Sequence, residues 1–206
     1  NDDVLVASAF AKTAETWTAV LVAAPRSNPL GAGGLCSASP TRASDYDPGF
    51  TIDLYNATGR FDSLSIEGAG RIGGAIDQMR SSFSFGGLHL LVVERGANEI
   101  RVWVDGDEQE SRPANAATTS MDNLRIGARY YDGQERHYFD GDVAQFLLYN
   151  RVLDSEEHVQ LTKSLGISAR ERAEELRTGL GKHMERMVAP EVLKSWGTIE
   201  RFEQYL

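Results

Sequence analysis

Short runs of β-forming residues, each closed by turn chemistry, dominate the first 150 residues of the chain. Eight runs of up to nine residues are rich in Val, Ile, Leu, Phe and Tyr, and no long helical pattern lies between them. They are VLVASAF, TWTAVLVAA, GFTIDLYN, SLSIEG, HLLVVERG, EIRVWVDG, NLRIGARYY and DVAQFLLYN. This organisation predicts an all-β fold, an antiparallel two-sheet sandwich.

Alternation within the runs indicates which side chains face the core. In FTIDLY, Phe50, Ile52 and Leu54 share one face, and the apolar residues of IRVWV alternate in the same way. Directly after IRVWV, Asp105-Gly106 supplies the two positive-φ positions of a type I′ hairpin turn. Three consecutive strands from HLLVVERG onward are therefore predicted to form a meander.

The segment Ala24 to Gly49 differs from its surroundings, because it contains four of the six prolines and much of the Gly and Ser. It is predicted to be a long loop across one end of the sandwich. Its Cys36 is the only cysteine, so the chain cannot form an intrachain disulfide. A small residue in a loop or at a strand edge is the interpretation favoured for Cys36 over a catalytic thiol.

The pattern changes after Asn150. Asp154 or Ser155 is expected to cap a short helix, and from Ser168 onward the apolar residues recur at helical spacing. Pro190 is placed to open a second helix. We therefore predict a β-sandwich over residues 1–166 and a C-terminal α-helical extension, or the start of a following domain, over residues 167–206.

The charge of the chain limits its partners. The formal net charge is -9 and the Lys and Arg residues are scattered, so the basic surface of a nucleic-acid binder is absent. No run of about 18 apolar residues is present, which argues against membrane insertion. The chain begins at NDDVLVASAF and ends at FEQYL, and we expect it to have been part of a longer protein with neighbouring domains.

The sequence carries no strong catalytic motif. Paired histidines at helical spacing, a G-x-S-x-G elbow and a P-loop are all missing, and GAGRIGG is better explained as a glycine-rich turn than as a dinucleotide fingerprint. Many β-sandwiches cleave sugars with an E-x-D-x-x-E strand, and no strand here carries one. We therefore do not expect an enzyme, and a glycoside hydrolase or lyase ranks third among the functions considered.

A first group of candidate ligand-binding residues lies at the strand positions that face away from the core. It consists of Asp53, Tyr55, Arg101, Trp103 and Arg125. Aromatic rings beside charged side chains suit a sugar, because the ring stacks on the pyranose and the charged groups bond its hydroxyls. The alternative is that Trp103 and Tyr55 are covered by a loop or by the C-terminal helices.

A second group lies in the segment ARYYDGQERHYFDGD. Its candidate ligand-binding residues are Tyr130, Tyr131, Asp132 and His137. Asp140 and Asp142 follow, and with backbone carbonyls they could hold Ca²⁺ as an optional cofactor. A turn with Asx capping explains the two aspartates equally well.

The segment FDGDVAQFLLYNRVLDSEEHVQL resembles the closing strand and short helix of laminin G-like domains of the concanavalin A-like lectin/glucanase superfamily. The matching residues are Phe139, Gly141, Val143, Ala144, Phe146, Leu148, Tyr149, Asn150, Arg151, Leu153 and Glu157. LHLLVVERGANEIRVWVDGDEQ looks like the hairpin that precedes this strand in the family, with Leu88 where Trp is usual. The resemblance implies a jelly-roll sandwich, assigned here to residues 1–166.

The resemblance also implies a function. Such domains are usually non-catalytic modules of larger exported or surface proteins, so an extracellular, cell-surface or periplasmic location is expected. They bind carbohydrate or protein, with calcium in some members, and fold alone does not select the ligand. The leading hypothesis is a glycan-recognition module. The alternative is a protein-interaction or assembly module that uses the C-terminal helices.

Overall fold

The computed structural model describes residues 3–8, 10–28, 31–46, 48–55, 63–68, 78–80, 87–166 and 200–201. The strands are β1 Leu5–Ala7, β2 Lys12–Ala14, β3 Trp17–Ser27, β4 Ala32–Ser39, β5 Phe50–Tyr55, β6 Ser63–Gly68, β7 Gln78–Arg80, β8 His89–Arg95, β9 Glu99–Val104, β10 Asp107–Pro113, β11 Thr119–Met121, β12 Asn123–Ile126, β13 Arg129–Tyr131, β14 Gln134–Arg136, β15 Asp140–Tyr149 and β16 Glu200–Arg201. Helix α1 is Ser155–Leu161, and a π-helical segment, Thr162–Gly166, continues it.

Two six-stranded antiparallel sheets form the sandwich, which confirms the predicted fold class. The front sheet has the order β1-β12-β4-β5-β6-β7, and the back sheet has the order β10-β9-β8-β3-β15-β16. Two small two-stranded sheets, β11-β2 and β13-β14, are added to them. The meander β8-β9-β10 is present as predicted, and Asp105 and Gly106 both have positive φ at its second turn.

The main core lies between the two sheets. Phe50, Ile52 and Leu54 face it from the front sheet, as their alternation predicts. Trp17 of β3 reaches it from the back sheet and stacks on Phe50 with ring centroids 4.3 Å apart. The indole N–H of Trp17 donates to Thr119 Oγ1 at 3.1 Å, so the polar atom of this buried ring is hydrogen-bonded.

The long loop predicted between Ala24 and Gly49 is partly wrong, because strand β4 occupies the middle of it. Its sequence, AGGLCSAS, consists mostly of small residues, and all but the first of them are buried. A Cβ built on Gly34 would lie 2.7 Å from the carbonyl carbon of Ala128 and 2.7 Å from the amide nitrogen of Arg129. Cys36 is fully buried in this strand, and burial raises the pKa of its thiol.

Strand β15 is covered on both faces. Phe146 and Leu148 face the main core, whereas Leu147 faces the outer side of the back sheet. Strict alternation along the strand would place Val143 on the face of Leu147, but Val143 packs against the main core, while Ala144 packs on the outer side. A β-bulge between Val143 and Gln145 shifts the register and exchanges these two positions.

Helix α1 covers the outer face of the back sheet. Asp154, one of the two residues expected in this role, is its N-cap, and it forms a capping box with Glu157. Leu161 of the helix and the flanking Leu153 and Leu165 pack on the outward-facing apolar residues of the sheet. The helix and sheet therefore form a second apolar cluster, separate from the main core.

The predicted C-terminal helices fall mostly on residues 167–199 and 202–206, which lie outside the described residues. Glu200 and Arg201 form β16 and pair with Leu148 and Leu147 of β15, so the helix expected at these two positions is wrong. The division of the chain at residue 166 stays a prediction. Over the described ranges, no helix combines the length and apolar character needed to cross a membrane.

Candidate functional site

The first group of candidate residues is divided between the two outer faces of the sandwich. Asp53 and Arg125 lie on the outer side of the front sheet, whereas Arg101 and Trp103 lie on the outer side of the back sheet. The main core separates these two faces, so the four side chains cannot contact one ligand together. The side chain of Tyr55 lies outside the described part of the structure.

Trp103 and Arg101 have local partners on the back sheet. The Trp103 ring is half-buried and lies 4.5 Å from the His158 ring of α1, centroid to centroid. Arg101 forms a 2.5 Å ion pair with Glu99 of the same strand. Contact with the short helix α1, rather than cover by the loop or the C-terminal helices of the stated alternative, therefore describes the position of Trp103 better than an open sugar platform does.

The hairpin β13–β14 carries most of the second group and lies on the outer face of the front sheet. Asp132 and Gly133 both have positive φ at its turn, as a type I′ hairpin requires. The Gly34 amide donates to the His137 carbonyl at 2.7 Å and fixes the end of the hairpin on β4. His137 itself has a positive φ and is half-buried.

Arg129 fastens the base of this hairpin to two other parts of the chain. Its Nη2 donates to Asp45 Oδ1 at 3.1 Å and its Nε to Asp45 Oδ2 at 3.3 Å, while its Nη1 donates to Asp53 Oδ2 at 2.8 Å. The Tyr130 amide adds a 3.0 Å bond to Asp45 Oδ2. The three charged side chains are at most 8% exposed, so these charge-assisted bonds lie away from water.

Arg125 makes a second ionic contact, which is partly buried. Its Nε donates to Glu135 Oε1 at 3.0 Å, its Nη1 donates to Ser39 Oγ at 3.1 Å, and its Cζ lies 3.9 Å from the centre of the Tyr130 ring. The hydrogen bond from Arg125 lowers the pKa of Glu135, against the opposing effect of partial burial. Glu135 is therefore ionised at neutral pH.

Above these ion pairs, tyrosine rings reach the surface. Tyr131 is 40% exposed, and its ring lies 5.9 Å from that of Tyr46, which belongs to the loop after β4. We call Tyr46, Tyr130 and Tyr131 the tyrosine platform. The Asp132 carboxylate, on the exposed rim, accepts from Arg136 Nη2 at 3.3 Å.

The structure thus brings together Asp53, Arg125, Tyr130, Tyr131 and Asp132 from the two predicted groups. Sequence reasoning did not select four neighbours: Asp45, Tyr46, Arg129 and Glu135. Arg129 and Glu135 stand within the quoted segment ARYYDGQERHYFDGD. For Tyr46, the available signal was an aromatic residue inside a segment rich in Gly, Ser and Pro.

The surroundings of Asp140 and Asp142 do not fit a calcium ion. Arg26 Nη2 lies 3.2 Å from Asp142 Oδ1 and Arg26 Nε lies 3.8 Å from Asp140 Oδ1, while the Ser27 hydroxyl donates to Asp140. Both carboxylates are more than half exposed and already face a guanidinium. Calcium takes six to eight oxygen ligands. Within the described ranges, no cluster of three or more His, Cys, Asp or Glu side chains is arranged to hold a metal.

Two packed antiparallel sheets with a short helix on one outer face define a concanavalin A-like sandwich. The chain belongs to the laminin G-type family Laminin_G_3 of the concanavalin A-like lectin/glucanases superfamily, which it matches over residues 2–157. This confirms the resemblance found in the closing strand and helix. No curated protein matches the sequence.

Solved structures share the fold at low sequence identity. A heptameric SAP-like pentraxin from Limulus polyphemus matches with a TM-score of 0.61 and 11% identity, over 77% of this chain and 75% of the pentraxin. The CBM40 module of a Ruminococcus gnavus sialidase, bound to α2,3 sialyllactose, matches with a TM-score of 0.58 and 16% identity, over 72% of this chain and 83% of the module. A Trypanosoma rangeli sialidase matches with a TM-score of 0.54 and 16% identity, over 74% of this chain and 23% of the enzyme.

Proposed function

We propose that this chain is a non-catalytic carbohydrate-recognition module and that the tyrosine platform is its sugar-binding surface. The observation that carries the proposal is the pair of neighbouring rings, Tyr46 and Tyr131, on a hairpin and a loop that Arg129 fastens together. Because the supporting ion pairs are buried, the rings are held in place before a ligand arrives, which reduces the ordering cost of binding.

The chemistry of the surface suits a sugar ring. The C–H face of a pyranose packs on an aromatic ring, and hydroxyl groups at its edge pair with charged and amide side chains. Asp132 and Arg136 stand at the rim of the platform and supply an acceptor and donors. The likeness to a module bound to α2,3 sialyllactose is consistent with this class of ligand.

The carboxylates around the platform favour binding over bond cleavage. A glycosidase needs one carboxylic acid whose pKa is raised so that it can protonate the leaving oxygen. Here Asp45 and Asp53 are held by Arg129, and the pKa of Glu135 is lowered by Arg125. We propose that the module binds its glycan unchanged, without a required metal, as part of a larger exported or surface protein.

Removing a platform ring tests the proposal. A glycan array identifies the ligand, and calorimetry then compares variants in calcium and in EDTA. Tyr131→Ala and Tyr46→Ala should each weaken binding about tenfold, because a stacking side chain at a binding hot spot contributes more than about 1 kcal/mol. Tyr131→Phe keeps the ring and should stay within about threefold of the parent protein.

Val159→Ala is the matched control, because Val159 is 51% exposed on α1 at the other face of the sandwich. It should leave affinity unchanged. Absence of any binder among neutral and acidic polysaccharides, with and without calcium, would contradict the proposal. Equal losses of glycan affinity in Tyr131→Ala and Val159→Ala would show that the sugar does not bind at the tyrosine platform.

The assembly function is the alternative proposal, and one observation favours it. Val152 and Val159 are exposed aliphatic side chains, one just before α1 and one within it, on the helix that covers the outer face of the back sheet. Light scattering of the full chain and of Val159→Asp tests it. Assembly would be supported if the full chain has a mass above that of the monomer and Val159→Asp has a lower mass. If both proteins are monomers, this candidate function is removed.

A further inference from the structure

The guanidinium groups behind the tyrosine platform are already bound to carboxylates of the protein. Arg129 donates to Asp45 and Asp53, and Arg125 donates to Glu135. A sugar carboxylate is recognised best by the paired donors of an arginine side chain. At this surface, such a ligand would have to compete with carboxylates that are held in place by the fold.

The burial of the Arg129 ion pairs makes that competition unfavourable. The Arg129 guanidinium bonds two carboxylates, Asp45 and Asp53, and all three side chains are at most 8% exposed. Moving Arg129 toward a ligand would break these buried charge-assisted bonds, and breaking a buried ion pair is strongly destabilising. Arg125 is held by a 3.0 Å hydrogen bond to Glu135 and a 3.1 Å hydrogen bond to Ser39, although the Glu135 side chain is 33% exposed.

The exposed rim of the platform carries one ion pair and a further arginine. Arg136 is paired with Asp132, and the carboxylate of that pair is the more exposed partner, at 72% against 40%. Arg42 is an exposed side chain on the loop that carries Tyr46. The formal net charge of -9 repels anionic ligands at longer range.

We infer that the tyrosine platform selects uncharged glycans and excludes sugars that place a carboxylate against it. This inference rests on the proposed function and specifies its ligand class. It also separates the chain from the structurally similar module that is bound to α2,3 sialyllactose. In this chain, the paired donors that a sialic acid carboxylate would need are occupied by Asp45, Asp53 and Glu135.

Matched neutral and anionic glycans test the inference. Lactose is compared with α2,3 sialyllactose, and methyl-esterified oligogalacturonate with the free acid, alongside neutral plant and microbial oligosaccharides on one array. Binding is expected only among neutral glycans. Binding confined to the anionic partners would overturn the inference and leave the proposed carbohydrate function standing. No binding in either set would overturn both.

A gain of binding gives the sharper test. Glu135→Gln removes the carboxylate that holds Arg125 and should raise the affinity for α2,3 sialyllactose at least several-fold. Glu156→Gln is the control, because it removes the same charge from an exposed position on α1 at the other face. An equal gain in both variants, or no gain in Glu135→Gln, would show that the Glu135 carboxylate does not exclude anions. Arg42→Gln tests the exposed arginine on the loop that carries Tyr46. If anionic glycans bind the parent protein and this variant no longer binds them, Arg42 is the anion site and the inference is wrong.

Discussion

Arg129 joins three segments that are distant in the sequence: its own hairpin, the loop that contains Asp45, and strand β5 with Asp53. The packing is close as well as ionic, because the backbone of Arg129 lies against Gly34 with no room for a Cβ. The position of the tyrosine platform therefore depends on one buried side chain beneath it.

Arg129→Gln should destabilise the protein by about 3–5 kcal/mol, because it removes the guanidinium that bonds two buried carboxylates. Denaturant unfolding at pH 7 measures this loss. Arg136→Gln breaks a pair on the same hairpin whose side chains are 40% and 72% exposed, and it should cost about 1 kcal/mol or less. Equal losses in the two variants would contradict the structural role assigned to Arg129.

Among the elements, those with one buried face are readily predicted from sequence. FTIDLY and IRVWV alternate because each strand presents one face to the main core, and both were placed correctly. Strand β4 was not predicted, because its small residues reflect the close approach of the β13–β14 hairpin, which is far away in the chain. The exchange of Val143 and Ala144 was also missed, since a bulge changes the register without changing composition.

The candidate site was predicted only in part, because contacts between distant segments leave no pattern in the sequence. Tyr130 and Tyr131 stood out as aromatic residues in a polar segment, and the structure places them at the surface and beside the front sheet. Asp45 and Tyr46 left no periodic signal, because their contacts cross between loops. Alternation predicts that Trp103 and Asp53 both point away from the core. It does not predict which of the two sheets each strand joins, nor which element covers each side chain.

Helix α1 provides a prediction at the scale of an element. Arg151 forms a two-point ion pair with Glu157, at 2.6 and 2.5 Å, and this hydrogen bonding lowers the pKa of Glu157. Because the pKa of Glu157 is lower in the folded protein, the ion pair stabilises the fold at pH values above the ordinary glutamate pKa of about 4.3. This stabilisation is lost as the pH falls below that value.

Arg151→Gln should therefore cost about 1 kcal/mol or less at pH 7, and it should flatten the loss of stability between about pH 5 and pH 3. Denaturant unfolding at a series of pH values measures both effects. Arg26→Gln, which breaks an ion pair whose side chains are more than half exposed, is the control and should leave the acid limb unchanged. An unchanged acid limb in Arg151→Gln would contradict the role given to this pair.

At the scale of the whole molecule, the two outer faces of the sandwich have different chemistry. The back sheet is covered by α1 through apolar side chains such as Leu161 and Leu165. The front sheet is covered by the β13–β14 hairpin through buried ion pairs, and this cover ends in the exposed ring of Tyr131. This asymmetry places the proposed recognition surface on the front side.

The most direct test of this assignment is a map of backbone amide chemical shifts during titration with the best glycan from the array. The largest shifts should fall at Tyr46, Tyr130 and Tyr131, while Arg101 and Trp103 on the back sheet should not change. Shifts centred on Arg101 and Trp103, with the tyrosine platform unchanged, would contradict the central claim.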